Sequence, residues 1–104
     1  MDTCECDSFC ERLREIVSLG PGPHNALFAW PEVLDIIATL RAAALGDEIM
    51  RRLTVIEKEF ERWFSLRNWR GHDLGMSLQR DLYANIWCLK LATDLSSRSA
   101  RGAA

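Results

Sequence analysis

Ile49, Leu53, Ile56, Phe60 and Trp63 recur at steps of four, three, four and three residues. A backbone with about 3.6 residues per turn gathers such positions on one face, whereas a pleated strand scatters them over both. This stretch therefore has to coil. Glu57, Lys58, Glu59, Glu61 and Arg62 fall off the stripe and form a solvated face.

The same rhythm appears three more times. Phe9, Leu13, Ile16 and Val17 share one face; Val33, Leu34, Ile37, Leu40 and Ala44 share another; Leu78, Leu82, Ile86 and Leu89 share a third. Composition agrees, with Leu and Ala together supplying 25 residues against 9 for Val and Ile. Branched Cβ atoms lose rotamer freedom in a helix, while Leu and Ala lose little. The expected fold is all-α, a small up-down bundle of about four helices, in keeping with the antiparallel packing that short connections impose.

Local signals set the expected boundaries. Ser8 and Glu11 have the spacing of a capping box, which starts the first helix near residue 8 and carries it to 19. An earlier start, capped by Asp2 with Glu5 at the third position, is the alternative. Gly20-Pro21-Gly22-Pro23 breaks any helix, and His24 to Trp30 reads either as a short turn or as a loop. Pro31 suits a first-turn position and opens a helix over 31–45, which Gly46 ends in the left-handed conformation. Asp47 caps a third helix over 47–69, with Gly71 as its stop, and Asp73 caps a fourth over 73–95. Residues 96–104 carry no large apolar group and read as a disordered tail, leaving a single domain over 1–95.

The fourth helix has more apolar surface than one core needs. Tyr83, Trp87, Leu91 and Leu95 form a second stripe roughly opposite the first. Phe64, Leu66 and Trp69 also lie off the main stripe of the third helix, with Arg70 nearby. Exposed aromatics rimmed by arginine are the usual make-up of a protein–protein contact. The leading expectation is thus a helical interaction or regulatory module. Phe64, Trp69, Arg70, Tyr83, Trp87, Leu91 and Leu95 are its partner-binding residues, and the partner is another protein or a second copy in a homodimer.

Two other readings belong to different classes. Cys4, Cys6 and Cys10 lie two and four residues apart, and Cys88, His24 or His72 would complete four metal ligands; this gives a metal-binding or thiol redox sensor. Against it, Cys6 and Cys10 continue the stripe of Phe9, Leu13, Ile16 and Val17, where a free thiol acts as a small hydrophobe. Glu5 and Asp7 also disfavour thiolate formation. The third reading places nucleic acid on Arg62, Arg67, Arg70 and Arg80. The net charge of −2 argues against it.

Catalysis has the weakest claim. The chain has no G-x-S-x-G elbow, no H-E-x-x-H and no phosphate-binding glycine loop. The expectation is a non-enzyme without a cofactor. No apolar run approaches the roughly 20 residues that span a bilayer, and the polar, acidic start is unlike a secretory signal. A cytoplasmic location with reduced thiols and no membrane contact is the corresponding expectation.

Overall fold

The computed structural model describes the backbone of residues 3–66 and 73–102. It contains α1 (Thr3–Ser18), α2 (Pro23–Ala42), α3 (Asp47–Ser65) and α4 (Asp73–Gly102). The helices form a closed ring in which α1 packs on α2, α2 on α3, α3 on α4 and α4 back on α1. Among the described residues the backbones of the diagonal pairs, α1 with α3 and α2 with α4, do not approach one another closely. The result is an all-α up-down bundle 51 Å long.

The core is built from the stripes. Ile49, Leu53, Ile56, Phe60 and Trp63 of α3 are all buried, as are Leu78, Leu82, Ile86 and Leu89 of α4. Removing each large apolar side chain from water stabilises the fold by about 1.5–3 kcal/mol before entropy is counted. From α1 come Cys6, Cys10, Leu13, Ile16 and Val17, so this helix is docked on the bundle and does not swing on the Gly-Pro linker. From α2 come Ala29, Val33, Ile36, Ile37 and Leu40. Leu34, expected on that face, is instead exposed.

Each seam of the ring also carries a polar tie. Arg12 grips Glu32 from α1 to α2 through Nε–Oε2 at 2.5 Å and Nη2–Oε1 at 2.8 Å. Arg41 Nη2 reaches Glu57 Oε2 at 3.2 Å between α2 and α3. Asn85 Nδ2 donates to Glu59 Oε1 between α4 and α3. Lys90 Nζ stands 3.6 Å from Glu11 Oε1 between α4 and α1.

Several boundaries differ from the sequence reading. Helix α1 already runs from Thr3, which agrees with the earlier of the two expected starts, so Ser8 is an interior residue and forms no capping box. Helix α2 begins at Pro23, not Pro31, with Gly22 as its N-cap, and Pro31 lies inside it. Both prolines suit a first turn. The choice is made by Gly22, whose amide donates to the Trp63 carbonyl at 3.1 Å and fixes the chain entry there. At the α2–α3 joint Ala44 takes the left-handed conformation, with φ 51°, after the helix has ended at Ala42. Gly46, at φ 120° and ψ 164°, is the N-cap of α3 rather than the stop of α2, and Asp47 is the first helical residue. Helix α3 ends at Ser65, four residues short of the expected 69. Helix α4 continues to Gly102, past Leu95 and through most of the stretch read as a tail.

Candidate interaction surface on the last helix

Helix α4 is apolar on two opposite sides. Its inward side, Leu78 to Leu89, closes the core, with Thr93 buried at the same face and its hydroxyl donating to the Lys90 carbonyl at 2.8 Å. A step of about 100° per residue puts Trp87, Leu91 and Met76 on the far side. Trp87 is 56 % exposed, Leu91 45 %, Met76 65 % and Leu95 64 %. Tyr83 is half-buried against the core.

Open grooves flank this ridge. Between α1 and α4 lies one of about 740 Å³, walled by Cys10, Arg14, Tyr83, Ile86, Trp87 and Lys90. Between α3 and α4 lies another of about 330 Å³, with Leu45, Arg52, Cys88, Leu91 and Leu95 in its walls. The Lys90 ammonium sits 5.7 Å from the centroid of the Trp87 ring, a cation–π distance that steadies the exposed indole.

Tyr83 and Trp87 line the first groove, and Leu91 and Leu95 line the second. Phe64 does not join them. It is 5 % exposed, stacked on Phe60 at 5.7 Å and met edge-on by Trp30 at 5.6 Å. Its place off the main stripe reflects burial toward α2, a second neighbour that α3 shares. Trp69 and Arg70 lie outside the described residues, as do Arg67 and His72. Arg62 and Arg80 are exposed, on α3 and α4 respectively.

The cysteines separate. Cys4 is exposed, Cys6 and Cys10 are buried, and Cys88 is half-buried on α4. Burial, with Cys6, Asp7 and Asp94 nearby and only Lys90 opposing, pushes the Cys10 thiol up to about 12. Such a thiol stays protonated at neutral pH and is a poor nucleophile and ligand. Among the described residues no three His, Cys, Asp or Glu side chains are arranged to hold a metal ion. His24 is exposed on α2 and packs edge-on against Phe28 at 6.0 Å.

Sequence reasoning missed a further apolar exposure. Leu27 and Phe28, near the start of α2, are 74 % and 75 % exposed. The signal was present in α2 itself, which is apolar around most of its circumference, so no single stripe marks which side is buried. No helix among the described residues is long and apolar enough to cross a membrane. No family model, curated protein or solved structure matches the chain.

Proposed function

We propose that the chain is a helical protein-interaction module and that the outward face of α4 is its contact surface. One observation carries the reading: α4 completes the core with one stripe and presents Met76, Trp87, Leu91 and Leu95 on the other. A lone exposed leucine is ordinary, but several large apolar side chains exposed along one helix cost solvation free energy unless something covers them. Trp87 is a natural anchor, because a large ring between two grooves buries much area at small entropic cost. Arg14, Arg80 and Lys90 supply the polar rim. We read the module as a binding protein and not as an enzyme, because the feature that stands out is exposed apolar area. The thiol reading has less support, since two of its three cysteines are packed in the core.

The test is photo-crosslinking in the native cell from a benzophenone side chain at position 91, with position 35 on exposed α2 surface as control. A discrete polypeptide adduct from 91 and none from 35 is the expected result. The absence of any adduct from 91 removes the reading.

A further inference from the structure

Leu27 and Phe28 are the most exposed large apolar side chains among the described residues. They stand on the second turn of α2, and Leu19, also exposed, follows the end of α1. Asn25 ties the two pieces together, its Nδ2 donating to the Leu19 carbonyl at 3.2 Å. The three side chains thus share the corner where α1 passes into α2, and they border neither groove beside α4. From Ser18 to Pro31 the sequence holds no Asp, Glu, Lys or Arg. Beside this uncharged corner the chain is basic. The amide of Gly22, at the start of α2, donates to the Trp63 carbonyl near the end of α3, so these helix ends lie side by side. The sequence from Arg62 to Arg80 has four arginines against one acid, Asp73, a net +3 in a chain whose total is −2. It opens on α3 at Arg62 and closes on α4 at Arg80, both exposed.

We infer that this end of the bundle docks on an anionic lipid surface. Leu19, Leu27 and Phe28 enter the boundary between headgroups and acyl chains, and Arg62 and Arg80 meet headgroup phosphates. Apolar side chains buried about 5–10 Å deep and cations close to an anionic leaflet both strengthen such binding. Side chains this exposed protrude as knobs, and a fluid bilayer closes around each without a matching socket, which a folded protein partner would have to supply. Nucleic acid would engage the arginines but leave Leu19 and Leu27 in water, because binding there rests on aromatic rings that stack on bases. The contact is peripheral and needs no membrane-spanning helix; none is found among the described residues. Where the sequence alone suggested no membrane contact, the exposure of Leu27 and Phe28 argues for this one. The corner is separate from Trp87, Leu91 and Leu95, so the inference stands or falls without the reading of α4.

The experiment is flotation of the full chain, with a thiol reductant, on vesicles of phosphatidylcholine alone or with about 30 % phosphatidylserine. At about 50 mM salt the wild type is expected to float with the anionic vesicles and not with the neutral ones, and to bind more weakly at about 500 mM. The double change L27S/F28S, exposed and checked for intact helicity by circular dichroism, is expected to weaken binding at least about tenfold. Arg62→Glu is expected to weaken it at least about threefold. A wild type indifferent to anionic vesicles overturns the inference, as does an L27S/F28S variant that binds like the wild type. Retention on RNA at low salt without flotation assigns the arginines to nucleic acid and rejects the lipid surface.

Discussion

Gly22 holds two distant parts of the chain together with one amide. Its φ of +104° suits glycine, and a Cβ built there would meet the Leu66 carbonyl oxygen at 3.1 Å. Gly22→Ala adds left-handed strain to a backbone contact that cannot swing aside, and is expected to cost about 2 kcal/mol or more in urea unfolding. Glu59 makes a prediction with a sign. Desolvation raises its carboxyl above the usual 4.5, more than the Asn85 hydrogen bond lowers it. A raised acid favours the folded state while protonated, and that contribution is lost as pH rises through its folded value. Glu59→Gln keeps an acceptor for Asn85 and removes the charge. The variant should be more stable than the wild type at pH 7, and the gap should close below about pH 4.5, as read by thermal melts across pH. The turn residues themselves were legible, since Gly-Pro alternation forbids a helix. The partner of the Gly22 amide was not, because Trp63 lies 41 residues away and no local pattern encodes that meeting.

At the scale of elements, legibility followed how unevenly a helix divides its polar and apolar sides. Helix α3 was read almost residue by residue from Ile49 to Trp63, because a single wide stripe leaves one way to bury it. Helix α2 was read short, because Leu27, Phe28 and Leu34 are apolar yet exposed and mask the buried face. Pro31 reinforced the error. Inside α2 it withholds the amide that the Leu27 carbonyl would otherwise accept, and its ring crowds that carbonyl. Leu27 is exposed, so water can reach the strained turn. Pro31→Ala should therefore stabilise the protein by about 1–2 kcal/mol, the helix gain reduced by a looser unfolded chain. Equilibrium urea titration measures this, and a destabilised variant would mean that a Pro-induced bend is needed for α2 to pack. For α4, both stripes were visible in the sequence. What the sequence lacked was the direction of the core, which decides that Leu78 to Leu89 go in and Trp87 and Leu91 go out.

At the scale of the molecule, the ring order places unequal weight on the helices. Every helix makes two of the four seams, but the two that α4 makes, with α3 and with α1, are the most extensive, and the α1–α2 seam is the slightest. A chain ending at residue 66 keeps α1, α2 and α3 but removes Leu78, Leu82, Ile86 and Leu89 from the core that the four helices share. Such a fragment is expected to retain helical dichroism, bind a hydrophobic dye and melt without a sharp transition. The same geometry bears on synthesis. Because the ribosome delivers α4 after the other three helices, the nascent polypeptide carries a half-open core for as long as the remaining codons take to read. That window of vulnerability to aggregation and to chaperone capture closes only when α4 has left the exit tunnel and swung back onto α1.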